Sequence, residues 1–503
     1  MRTGFAERDI TPQKGMEMPG ASHRTFHDGM VHDPCKVRTA VFDDGVKRVA
    51  LVSVDAVIVS DGLVRAARNE IAERCGIPPA SVMIAATHSH SGGPLGLYQP
   101  GQFDHAPGWV QLLAYEGSSC ADAEYVDHVQ DQIVIAVSEA NETRIEAQCG
   151  VAIGHEPKAA FNRRFRMRNG LTYTFPGQGN PDILEPAGPV DPAVGALGAW
   201  DAEGRLRGCV INYACHPTTK PGGASADWIF YMEQVIRGAL GPNVVVVFLN
   251  GACGDVSPVD TLSRYSAQTG ERWARRVGGR VGAEAVKTLL DSDRSEMRPV
   301  NATSQVLRFS RRRPTPERTK QALEIVQRNA PEANPAEWLF AREVVLLEAL
   351  LEREPETEVE VQAIQIGPAV FLGSPGELFC QLGLDLKASS DFPFTFPVSL
   401  ANGFCGYLPT AEAMGPSGGG YETRLTGHTN LDIEASVTII KTLLELAAEL
   451  TPGRMPEPPS PPVFSVSWNF GNVPVEPWLA GKINHLSCHT VFSPDDAKHP
   501  SRS

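Results

Sequence analysis

Several things are missing from this chain of 503 residues. It has no run of eighteen apolar residues, so a membrane-spanning helix is not expected. Its first residues, MRTGFAERDITPQKG, hold no apolar core of seven or more residues after a basic start. A secretory leader is therefore not expected, and the expected location is cytoplasmic. Ten cysteines are scattered without a CxxC pair, which suits reduced, buried thiols better than a disulfide framework. Basic residues are in deficit, with 45 Lys and Arg against 59 Asp and Glu and a formal charge of −14. Nucleic acid needs a basic footprint, so it is excluded as a partner. No internal repeat and no GxSxG nucleophile elbow occur.

What remains is an ordinary globular composition, 42% hydrophobic and 21% charged, able to bury a large core. Val49 to Ser60 is a β-branched run that reads as a buried strand. The segment DGLVRAARNEIAERCG follows with helical spacing, capped by Asp61 and stopped by Gly76. A second apolar run, SVMIAAT, comes next, so the unit is β-α-β and favours a mixed, partly parallel sheet packed with helices. Further helices are expected over about 228–239, 271–290, 316–328, 335–352 and 431–450. EVEVQAIQIG and AVFLGSPGE read as a hairpin ending at Glu377. Leu95 to Ala121, rich in Gly, Pro and aromatic residues, reads as a long loop, either a surface excursion or a cover for substrate. From Thr451 the chain turns proline-rich and reads as a tail draped on the surface or poorly ordered.

Apolar strands repeatedly run straight into polar, metal-capable residues. AATHSHSGGP puts His88 and His90 one residue apart, and NYACHPTT places His216 before a proline. NGACGDVSP is a glycine-rich loop carrying Ser257, and SPGELF carries Glu377. In α/β sheets, ligands bind beyond the carboxyl ends of strands, so these groups are candidates to converge. At an i, i+2 spacing in an extended segment both imidazoles point the same way, as a metal pair would. Taken singly, each motif also fits strand-end histidines bonded to backbone, or a turn in which Asp255 and Ser257 bond locally.

Taken in order, AATHSHSGGP, NYACHPTT, NGACGDVSP, SPGELF and GYLPT…GGGYE, with FNRR and SADW, resemble the catalytic domain of the neutral (non-lysosomal) ceramidase family. The resemblance spans roughly the first 450 residues. It implies an α/β hydrolase domain over 1–450 with one zinc ion (Zn2+) per chain, cleaving an N-acyl amide by zinc-activated water. Carried over by motif, it implies His88, His216, Glu377 and Tyr407 as metal ligands, with Tyr407 close or loose. His90 is implied to face substrate or developing charge, and Arg163 to bind a polar substrate group. Ser257 and Tyr421 match the family's active-site serine and second tyrosine. The serine's part, nucleophile or hydrogen-bonding partner, stays open.

Family members also carry a C-terminal immunoglobulin-like sandwich of about 100 residues. Only residues 451–503 follow here, so a proline-rich tail and no such domain are expected. The segment GPSGGG before Tyr421 is a flexible insert by composition. The expected substrate is a small or lipid-like N-acyl compound, ceramide or a shorter N-acyl amine. An esterase or lactonase, or a non-catalytic zinc-binding member of the same fold, are the other readings.

Overall fold

The computed structural model describes residues 1–20, 24–328, 333–456, 476 and 478. All that follows belongs to the unit Met1–Glu457. The expected tail falls almost wholly outside the described residues. Among the described residues no helix is long and apolar enough to cross a membrane. All the described cysteines are free, and most are buried.

The fold is mixed α/β, as the β-α-β pattern predicts, and three larger sheets share the work. The first runs in the order Val82–Ala86, Arg48–Val54, Lys36–Asp43, Arg2–Asp9, Ile145–Glu146. The second runs Val245–Asn250, Leu206–Tyr213, Ala193–Trp200, Gln148–His155, and the third Val300–Ser310, Glu356–Ile366, Ala369–Gly373, Phe394–Val398. Each contains one parallel pair: Arg48–Val54 with Val82–Ala86, Leu206–Tyr213 with Val245–Asn250, and Ala369–Gly373 with Phe394–Val398. Each parallel pair is bridged by a helix, respectively Asp61–Cys75, Trp228–Leu240 and Cys380–Ser389. A parallel pair needs such a crossover.

The three sheets meet in one core. Leu51 and Met83 of the first, Leu197 and Val247 of the second, and Phe371 and Phe396 of the third belong to one buried cluster. Their carboxyl-terminal strand ends therefore lie near one another, and the polar junctions of the sequence begin there.

Details depart from expectation for physical reasons. The first run is a strand only to Val54. At Asp55 the chain turns, because its buried carboxylate accepts from the Lys36 backbone N–H and pairs with Arg38 at 2.7 Å. Ser60, not Asp61, caps the following helix, its hydroxyl accepting from Leu63 N–H at 3.2 Å. Gly76 ends that helix in the left-handed conformation, φ 66°. The stretch 95–121 is not all loop: Gly108–Tyr115 is a helix, with Val110 and Ala114 packed against Val344 and Val345 of the helix Pro335–Leu351. The other expected helices fall at Glu271–Leu290, Pro316–Arg328 and Ile433–Ala448. The hairpin forms as expected, Glu356–Ile366 pairing with Ala369–Gly373 in antiparallel register.

Candidate active site

His88 follows the strand Val82–Ala86 of the first sheet, and His216 the strand Leu206–Tyr213 of the second. Glu377 follows Ala369–Gly373 of the third. Asn250, fully buried at the end of Val245–Asn250, ties two of these turns together. Its side-chain amide donates to the carbonyls of Thr87 (3.1 Å) and Cys215 (3.2 Å). Its Oδ1 accepts from Cys215 N–H at 3.3 Å. So the residue before each histidine is held by one asparagine.

Each imidazole is then oriented by a backbone carbonyl. Nδ1–H of His88 donates to Val57 O (2.7 Å), that of His90 to Gly20 O (2.6 Å), and that of His216 to Cys253 O (2.7 Å). This leaves Nε2 of each as the basic nitrogen in the neutral ring. The three Nε2 atoms face inward. His216 Nε2 is 3.1 Å and His88 Nε2 3.3 Å from the same oxygen, Oε2 of Glu377. His90 Nε2 is 3.4 Å from His88 Nε2. The rings of His88 and His216 lie 4.6 Å apart, those of His90 and His216 6.0 Å. His90 thus flanks a tighter set of His88, His216 and Glu377.

The electrostatics call for a cation. Burial lowers the His90 imidazole well below the ordinary histidine range, the other two imidazoles adding to it. Burial, with Arg163, brings His216 down to about 3. Burial alone would push the Glu377 carboxyl up, but the His88 and His216 imidazoles prevail and hold it well below its usual value. With Nδ1–H of His216 given to a carbonyl, Nε2 of the neutral ring faces Glu377 Oε2 at 3.1 Å with no proton between them, which is unfavourable without a positive charge. The spacings also suit one: bonds of about 2.0–2.1 Å in a tetrahedron place ligand atoms about 3.3 Å apart. His88, His90 and His216 form a metal-capable group among the described residues. The donor set, imidazole and carboxylate with no thiolate, fits zinc. Carbonyls behind each ring are the outer contacts that such ligands usually have.

Tyr407 stands beside Glu377 by register. The short strand Tyr407–Leu408 pairs in parallel with Glu377–Leu378, Tyr407 opposite Glu377. The Tyr407 hydroxyl accepts from Arg163 Nη2 at 3.1 Å and lies 2.9 Å from the Tyr421 hydroxyl. Arg163 is buried, its Nε donating to Glu422 (2.9 Å) and Nη2 to Gly254 O (2.7 Å). Its guanidinium lies 5.1 Å from the Tyr421 ring centroid. The glycine-rich insert thus returns Tyr421 to the site.

Ser257 is placed differently from the rest. It is fully buried in the two-residue strand Val256–Ser257, paired with Phe161–Asn162, and its hydroxyl accepts from Val259 N–H. Cys215 and Cys253 are buried; each lends a backbone carbonyl to the site, and the Cys215 thiol donates to His216 O at 3.6 Å.

Sequence reasoning missed three contributors. Glu422, fully buried, anchors Arg163 and also accepts from Thr174; it stands in GGGYE, beside the tyrosine that drew notice. Gly20 is needed at its place: φ is 105°, and a Cβ there would sit 2.5 Å from His90 Nδ1. Asn250 was visible in NGACGDVSP as a turn residue only. His88 itself holds a left-handed backbone, φ 73°, rare for a residue with a side chain and characteristic of functional turns.

No protein-family model matches the chain, and no curated protein is similar to it in sequence. Solved structures do match. A neutral ceramidase from Pseudomonas aeruginosa superposes with a TM-score of 0.66 at 19% identity, covering 91% of this chain and 76% of that one. A ceramidase complexed with C2 gives 0.66 at 17% identity, over 91% and 77% of the two chains. At these identities the likeness is one of fold.

Proposed function

We propose that this chain is a zinc-dependent hydrolase of an N-acyl amide bond. One observation carries the reading. Strand ends of three sheets bring His88, His216 and Glu377 together, with two Nε2 atoms facing one carboxylate oxygen at tetrahedral spacing. The ordered motifs and the likeness in fold to the ceramidase structures support an amide as the bond.

His88, His216 and Glu377 hold the metal in this reading, with the Tyr407 phenol as a looser fourth partner. Zinc, when bound, supplies a Lewis acid and brings the pKa of a water near 7. The rest falls to the chain. His90, neutral because buried, takes a proton at Nε2 from the attacking water and passes it to the leaving amine, which cannot depart as an anion. Tyr421 donates to the oxygen that becomes negative, and Arg163 polarises the tyrosine pair from behind. The burial of Ser257 favours a hydrogen-bonding part in its loop over a nucleophilic one.

The test is metal content by elemental analysis for wild type and His216→Ala, with hydrolysis assays on N-acyl amides, ceramide included, and matched esters. About one zinc per chain, lost in the variant, with amides cleaved by wild type only, is the expected result. Wild type that takes up no zinc overturns the reading. Cleavage of esters alone reassigns the bond.

A further inference from the structure

Two chambers meet at the site, and their chemistries differ. One, of about 350 Å³, reaches His88 and Glu377 and is walled by Met18, Val57, Leu97, Leu339, Phe340 and Phe404. Its charged wall residues cancel in pairs, Arg24 with Glu17 at 2.8 Å and Arg342 with Glu343 at 3.0 Å. The other, of about 590 Å³, shares Gly20, His90 and Tyr421 with the first. Its own wall sets Arg163, Lys220, Gln178, Gln268 and Thr261 beside apolar Phe175 and Val259, and is the more polar of the two.

Among the described residues no carboxylate lines this second chamber, although acidic residues outnumber basic ones in the chain. Gln268 donates to Gln178, which in turn donates to Ser266 O, so the amides are mutually satisfied. Thr261 is not: it is 3% exposed and its hydroxyl has no partner among the described residues. Lys220 is exposed, and its backbone is held in the left-handed region, φ 47°. Its N–H donates to the buried Asp227 at 2.8 Å, in the SADW motif, which keeps the turn in place. Phe175, also lining the chamber, is left-handed as well, φ 48°. Such backbone clusters where a side chain must be presented in one place.

The geometry points to an amphiphilic substrate with an anionic arm. Its apolar acyl chain enters the first chamber, and a carboxylate or phosphate on the amine side enters the second, toward Lys220 and Thr261. N-acyl amino acids and N-acyl aminoalkyl phosphates have this chemistry. Lys220 is then a specificity-determining residue, because a substrate with two neutral arms gains nothing from a cation at that wall. This rests on the amide-hydrolase reading above.

The test uses three octanoyl amides of similar size, those of glycine, ethanolamine and ethanolamine phosphate, on zinc-loaded wild type, Lys220→Gln and Thr261→Val. Wild type is expected to prefer an anionic amide over octanoylethanolamine by about tenfold or more in kcat/KM. Lys220→Gln is expected to reduce that preference about fivefold, through KM. Thr261→Val is expected to reduce it less. The better of the two anionic amides identifies the group, carboxylate or phosphate. Equal kcat/KM on all three, or a preference untouched by Lys220→Gln, overturns the inference and leaves the hydrolase reading intact. If none is cleaved, calorimetric binding of the same amides decides. Tighter binding of an anionic amide that depends on Lys220 upholds the chamber and removes the reaction. Binding indifferent to charge overturns both.

Discussion

The hydroxyls of Tyr407 and Tyr421 lie 2.9 Å apart, with their rings edge to face. Burial raises the pKa of both phenols, and for Tyr407 the Glu377 carboxylate adds to it. Both therefore keep their protons at neutral pH and remain donors. Tyr421, part of whose surface is exposed in the cavity, is the one free to reach substrate. Tyr421→Phe is expected to lower kcat by about 10²-fold with KM and zinc content little changed. Steady-state kinetics beside elemental analysis checks this, and an unaltered kcat would remove Tyr421 from the chemistry.

His90 stands off the tighter ligand set. His90→Ala is expected to keep about one zinc per chain while losing kcat by about 10²-fold or more. Metal lost in step with His216→Ala would make His90 a ligand instead.

Asn250→Ala removes the bonds that fix the turns before His88 and His216. Two buried carbonyls lose their donor, so a loss of about 2–4 kcal/mol is expected by urea unfolding. Zinc affinity should weaken as well, since both rings lose their support. A variant as stable as wild type would show that water replaces the amide there.

Asp33 gives a pH signature away from the proposed metal site. Its carboxylate is buried, accepting from Ser225 Oγ at 2.5 Å and Ala226 N–H at 2.8 Å. Burial raises its pKa to about 7, with Asp55 adding and the two hydrogen bonds and Arg38 opposing. Unfolded, the group releases its proton near 3.8. Between these values the native state binds more protons than the unfolded chain. Its contribution therefore falls as pH rises from about 4 to about 7 and is level above, a swing of about 4 kcal/mol. Asp33→Asn cannot titrate. From pH 5 to pH 8 wild type should lose stability relative to this variant, and parallel urea midpoints would rule the effect out.

The site was legible where chemistry sits at a strand end. His88, His216 and Glu377 each follow an apolar run directly, and apolar runs announce their own ends. Tyr421 and Arg163 were legible only through motif likeness, because the insert around GPSGGG carries no periodicity. Asn250, Glu422 and Gly20 act by contacts between segments far apart in the chain, which local pattern does not encode. The helix Gly108–Tyr115 escaped for a related reason. It has eight residues between Pro107 and Glu116, and packing on Pro335–Leu351 supports it more than intrinsic propensity does. Ser60 took the cap from Asp61 because Asp61 already lies within the first turn.

Because His88, His216 and Glu377 arrive from three sheets and are separated by more than a hundred residues, the unfolded chain offers no comparable site. Metal occupancy and folding then form one linked equilibrium, with the ion acting as a rivet through all three sheets. At a free zinc concentration a thousandfold above Kd, the folded state gains about 4 kcal/mol. A chelator should lower the melting temperature of the whole unit at once, and a substitution anywhere in the core around Leu51, Leu197 and Phe371 should register as weaker metal binding.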